Sequence, residues 1–305
     1  MPPRSPLPQR HGVDAAWVRT PDHNPDAPAP WATMGAFLAD RLAPHAPVAE
    51  MLAGGAFVDA AGRPWTGAEP YRPHTFVWFH RPLAPEPVVP FPVEVLHADE
   101  RIVVVDKPPF LATTPRGTHV RESVLTRLRT SLGLPGLAPA HRLDRLTAGV
   151  LVLTTERRHR AAYAGLFQGR HVTKTYEALA PIDPGLTFPR RVVSRIVKRR
   201  ESLQAEVVPG EPNAETLIDL VEARGPWGPY RLVPATGKTH QLRLHLSRLG
   251  LPIVGDPLYP RVLDVAPDDF SAPLQLVARE LEFTDPVDGT DRVYTSRRPL
   301  RWPDA

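Results

Sequence analysis

The chain has 305 residues, 42% hydrophobic and 23% charged, which is enough apolar material for one large domain or a domain with small additions. It contains no cysteine, which excludes disulfides and thiolate metal sites and suits a cytoplasmic protein; no run approaches the ~18 apolar residues of a membrane helix, and the Pro-rich N-terminus lacks an apolar signal region. A formal net charge of +4 and a pI near 9.6 favour an anionic partner such as nucleic acid.

Residues 1–30 combine prolines and charges with few large apolar side chains, and we expect them to be disordered or loosely packed. Residues 31–83 change character. Met34–Leu42 reads as an amphipathic helix with Phe37, Leu38 and Leu42 on one side, and Ala46–Met51 as a second helix. Gly54–Arg63 reads as strand, turn and strand, with Gly62 at the turn, and Thr75–Phe79 as a further strand. Two short helices followed by a hairpin resemble the S4 RNA-binding module; a small accessory α+β subdomain is the alternative. Residues 84–92 form a proline-rich linker, and 93–305 the main domain.

That domain opens with two strands, Val93–His97 and Ile102–Pro108, followed by a helix over Arg121–Leu132. Gly149–Leu153 is a buried strand, and Thr155 is placed to cap a helix over Glu156–Gln168. Val172–Leu179 alternates as a strand. In Arg190–Arg200 basic and apolar residues interleave, which suits either a phosphate-binding face or an edge strand protected by charge. Further strands are expected over Leu203–Val208, Ala214–Ala223, Tyr230–Val233 and Leu274–Phe283, and a helix over His240–Leu249. Strands that follow one another directly point to an α+β fold with a mixed, mainly antiparallel sheet and flanking helices.

Several chemistries fail on spacing. Gly237-Lys238-Thr239 ends like a phosphate-binding loop, but the glycine due five positions earlier is Leu232. His240 and His245 lie five apart, which turns them to different sides of a helix, so they make a poor zinc pair. No Gly-x-Ser-x-Gly elbow occurs. There remains Asp144, between Arg142 and Arg145 at the mouth of a strand. An ordinary ion pair would explain an isolated Asp-Arg neighbour. Two other dense segments complement it, however: Lys174-Thr-Tyr176, and Thr236-Gly-Lys-Thr-His-Gln-Leu-Arg243.

Together these segments resemble the RluA-type RNA pseudouridine synthases. The likeness covers roughly residues 92–287. It rests on His141-Arg-Leu-Asp-Arg145 with Thr147 and Gly149, on Lys174-Thr-Tyr176, on Gly237–Arg243, on Leu96–Pro108 and on Pro252–Tyr259. Departures from the family pattern are Lys238 for arginine, Ala148 for serine and Leu276-Val-Ala278 for Leu-His-Ala. The resemblance implies a pseudouridine synthase fold and isomerisation of uridine in structured RNA, ribosomal RNA first and transfer RNA second, by a monomer with no cofactor or metal. It implies Asp144 as nucleophile or general base, Arg243 as its pairing partner, and Tyr176 against the uracil face. Arg142, His141, Arg145, Lys238, His240 and Ile253 become substrate contacts. A non-catalytic RNA-binding protein on this fold is one rival. A glycosidase is another, but it needs a second placed carboxylate, and Glu177 should point away from Tyr176 along the strand.

Overall fold

The structure is a computed structural model that describes residues 3–23, 27–42 and 46–303. The chain divides into two compact units, Met1–Pro85 and Glu86–Ala305. In the first unit β1 (Ala16–Arg19) precedes helices α1 (Met34–Leu42) and α2 (Val48–Ala53), and β2 (Phe76–Phe79) closes it. The loose packing expected of residues 1–30 does not hold at β1, which pairs antiparallel with β2, Trp17 opposite Trp78. The signal missed there was the alternation of Ala16 and Val18, which pack against the core, with the more exposed Trp17 and Arg19. Positions 1–2 and 24–26 lie outside the described residues. Met34, Phe37 and Leu38 bury one face of α1 against Met51, Phe57, Trp65 and Phe79. The strand pair expected over Gly54–Arg63 reduces to isolated bridges of Val58 with Pro64 and Trp78.

The second unit carries the large sheet. Its elements are β3 (Glu94–Ala98), β4 (Ile102–Lys107), α3 (Val124–Ser131), β5 (Ala138–Pro139), β6 (Ala148–Thr154), α4 (Arg157–Gln168), β7 (Thr173–Pro181), β8 (Arg190–Ser194), β9 (Ile196–Val197), β10 (Glu206–Val207), β11 (Ala214–Leu220), β12 (Trp227–Pro234), α5 (Gln241–Arg248), β13 (Leu276–Thr284) and β14 (Asp291–Thr295). The strand order is β3-β4-β6-β13-β7-β12-β11-β8, with β14 on β13 and β5 on β6. All these pairs are antiparallel except β6 with β13, so the sheet is mixed and mainly antiparallel, as expected. β6 is buried along its whole length, which matches its unbroken apolar run. Gly149 permits its close pairing with β13: φ is +114°, and a Cβ there would lie 2.3 Å from the Ala278 carbonyl oxygen. Thr155 does not cap α4. Its hydroxyl donates to the Glu100 carbonyl at 2.5 Å, and Glu156 stands at the cap. α3 is capped by Ser123, whose hydroxyl accepts from the Thr126 N–H at 3.2 Å.

Candidate active site

The turn before β6 places Asp144. Leu143 and Leu146 are buried and pin the chain on either side of it. The Thr113 hydroxyl donates to the Leu143 carbonyl (2.8 Å) and accepts from the Leu143 N–H (3.1 Å). The Thr147 N–H closes the turn on the Asp144 carbonyl at 3.1 Å. From behind, the fully buried Lys107 donates to the carbonyls of Pro108 (2.9 Å), Leu111 (2.7 Å) and Arg145 (3.1 Å). Burial drives the Lys107 pKa well below the usual ammonium range, opposed by the charge of Asp144. Buried leucines and backbone hydrogen bonds thus fix the turn, and the carboxylate does not have to hold it.

That carboxylate is 25% exposed in a cavity of about 130 Å³, walled by Tyr176, Lys174, Leu276, the loop 236–240 and Arg243. Its nearest basic side chain in an ion-pair geometry is His240, whose Nε2 lies 3.9 Å from Oδ2, beyond a hydrogen bond. Burial lowers the His240 pKa to about 4, so at neutral pH the ring is uncharged. Its Nδ1 lies 3.1 Å from the Tyr259 hydroxyl. His240 takes φ +58° at the start of α5, which turns the chain from the loop into the helix. The loop is pinned by Gln241, for which sequence reasoning found no role. Its side-chain carbonyl accepts from the Thr236 hydroxyl (2.7 Å) and the Lys238 N–H (3.0 Å). Its amide donates to the Glu215 carbonyl and the Thr216 hydroxyl, both at 2.9 Å.

Tyr176 stands on β7 opposite Ala278, on the sheet face it shares with Leu276. It is half-buried, and burial, helped by the charge of Asp144, raises the phenol above its ordinary pKa. The hydroxyl therefore stays protonated at neutral pH, and the residue lines the cavity. Lys174, two residues back on the same face, also lines the cavity; burial lowers its pKa. Glu177 faces away and accepts from Arg279 Nε at 2.8 Å, so no second carboxylate joins Asp144 from this strand.

Two expectations need correction, and two residues fall elsewhere. Arg243 does not pair with Asp144. It forms a buried bidentate pair with Asp256, Nε to Oδ2 at 2.8 Å and Nη2 to Oδ1 at 2.6 Å, although it does line the cavity. The motif Gly255-Asp-Pro, read only as family likeness, supplies that partner. His141, expected as a substrate contact, does not line the Asp144 cavity. Its ring stacks on Phe167 at 4.1 Å, its Nε2 accepts from the Val152 N–H at 3.2 Å, and burial holds its pKa at about 3. Its work is to join β6 to α4. Arg145 and Ile253 lie outside the Asp144 cavity and line a second one beside it. Arg142 and Lys238 line the first and are exposed.

A family model for RNA pseudouridylate synthase matches residues 101–248. The chain is 32% identical over 208 residues to the dual-specificity RNA pseudouridine synthase RluA of Salmonella typhi, which covers 66% of this chain and 90% of that protein. It is 30% identical over 184 residues to a mitochondrial tRNA pseudouridine(32) synthase of Saccharomyces cerevisiae, across 57% of this chain but only 38% of that longer protein. Among solved structures, the human RNA pseudouridylate synthase domain containing 1 superposes with a TM-score of 0.54 at 25% identity, over 68% of this chain and 84% of that one. The sheet and its carboxylate-bearing turn define a pseudouridine synthase fold. The chain belongs to the RluA-type RNA pseudouridine synthase family.

Proposed function

We propose that the protein isomerises uridine to pseudouridine within structured RNA, with ribosomal RNA as first target and transfer RNA as the alternative. The observation that carries this is the Asp144 carboxylate, held by a rigid turn, open to the cavity and engaged by no hydrogen bond from another side chain among the described residues. The reaction breaks C1′–N1, turns the uracil, forms C1′–C5 and moves the C5 proton to N1, so the product is an isomer and no co-reactant is consumed. Asp144 supplies the carboxylate as nucleophile or base. Tyr176 supplies the surface on which the uracil rests while it turns, and its protonated phenol does not compete as a base. A uridine in folded RNA must leave its stack, at a cost of a few kcal/mol. Arg142, on the rim, is placed for the phosphate or the vacated stack, and Lys238 and Lys174 add positive charge near the loop. Arg243 acts through Asp256 and through its position in the cavity wall. Structured RNA suits the charge of the second unit. The first unit carries as many acidic as basic residues, so the S4-like reading of residues 31–83 gains no electrostatic support. A monomer acting in the cytoplasm completes the proposal. Site-resolved pseudouridine mapping of total RNA, with and without the gene, tests it: sites lost in ribosomal RNA support the first target, sites lost only in transfer RNA the alternative, and no lost site refutes the activity.

A further inference from the structure

Beside the Asp144 cavity lies a larger one of about 490 Å³, within the ~300–1,000 Å³ range of small-ligand sites. The wall between them is one layer of side chains. Arg243 and His240 face the first cavity, and their partners Asp256 and Tyr259 face the second. The Arg243 guanidinium carbon sits 5.4 Å from the centre of the Tyr259 ring. The two cavities are also joined through the backbone, because Asp144 lines one and its neighbour Arg145 the other.

The second lining is mostly aromatic and aliphatic, including Phe110, Trp227, Ile253 and Tyr259, and Leu263 and Val265 stand 45% and 44% exposed beside it. Several of its polar groups are occupied. Asp256 accepts both bonds from Arg243 and the N–H groups of Leu258 and Tyr259. Asp269 caps Ser271. The Tyr259 hydroxyl is held by Ala205 and His240. Arg145 is the half-buried cation of this lining. No carboxylate among the described residues pairs with it, and its charged neighbour Arg243 is a cation. An apolar slot with one half-buried, unpaired guanidinium is complementary to a ligand with a flat apolar body and an anionic group.

We infer that this second cavity receives the base of a nucleotide flanking the target uridine in the same RNA strand, with Arg145 on its phosphate. The inference rests on the pseudouridine synthase reading of the Asp144 site. It explains why Arg145 and Ile253 fall outside that site. The mostly apolar lining holds a base by stacking and shape, and sequence enters through the strand's path.

The test uses 2-aminopurine riboside 5′-monophosphate, whose emission falls on stacking, titrated into the full chain. We expect saturable quenching, weakened about tenfold or more by Arg145→Gln and by Ala272→Trp at the exposed rim, and unchanged by Asp144→Asn. Val265→Glu is the second rim variant should Ala272→Trp lower the melting temperature. AMP, GMP, CMP and UMP should compete within about threefold of one another. Absence of saturable quenching overturns the inference. So does quenching that Asp144→Asn abolishes and the rim variants spare, which would put the base in the first cavity. So does uptake of the apolar dye 8-anilinonaphthalene sulfonate that no nucleotide displaces. If Asp144→Asn still abolishes pseudouridine formation while the probe ignores the second cavity, the enzyme reading stands and this inference alone falls.

Discussion

Removing Arg243 should damage the fold as much as the chemistry. Its guanidinium and the Asp256 carboxylate are 2% and 0% exposed, and both bonds of the pair are short. Arg243→Ala strands a buried carboxylate with only the Leu258 and Tyr259 N–H groups to satisfy it. Breaking such a pair from one side costs about 3–5 kcal/mol. For a unit the size of Glu86–Ala305 that corresponds to a melting temperature lower by roughly 6–20 °C. Thermal unfolding followed by circular dichroism measures it. The double variant Arg243→Ala with Asp256→Ala should lose less than the sum of the two single changes, since it strands no charge. A fall below about 2 °C for Arg243→Ala, or strict additivity in the cycle, would refute the reasoning and return Arg243 to a purely catalytic role.

Three further expectations follow from the same structure. Tyr176→Phe should keep RNA affinity, measured by filter binding, because the contact proposed with the base is through the ring and not the phenol; complete loss of binding would contradict this. Acid should destabilise the protein through His141, His240 and His245, whose pKa values are held at about 3, 4 and 4, against 6.5 for free imidazole. The unfolded chain binds these protons more readily, so stability is full above about pH 6.5, falls with pH and levels off once pH has passed the folded values. Urea titrations across that window should show it, and a flat profile would not fit. Gly149→Ala should weaken the β6–β13 pairing, since the Cβ would collide with the Ala278 carbonyl and the left-handed φ disfavours alanine; unchanged hydrogen-exchange protection of β6 would count against this.

Much of the second unit was legible because its signals are local. The apolar run of Gly149–Leu153, the alternation around Tyr176 and the helical spacing of Leu242 and Leu246 each reflect burial on one face or on all. Asp144 and Tyr176 were legible as a pair because strand periodicity aims Tyr176 and resemblance joined it to the turn. What stayed hidden depends on contacts across the fold. The charge opposite Arg243 could have been Asp144 or Asp256, and only the path of the chain after α5 selects the second. His141 reads like a substrate contact beside Arg142, yet its neighbours turn out to be Phe167 and the Val152 N–H. β1 was missed because its strand partner lies some sixty residues downstream, and a four-residue alternation in a Pro-rich stretch is a weak signal.

The proposed activity depends most on Asp144. The direct measurement is pseudouridine formation by Asp144→Asn on RNA from cells lacking the gene, read by site-resolved mapping alongside a thermal melt of the same variant. Since Leu143, Leu146, Thr113 and Lys107 hold the turn without the carboxylate, the account predicts an unchanged melt, retained RNA binding and no pseudouridine. Turnover near that of the unaltered enzyme would contradict it.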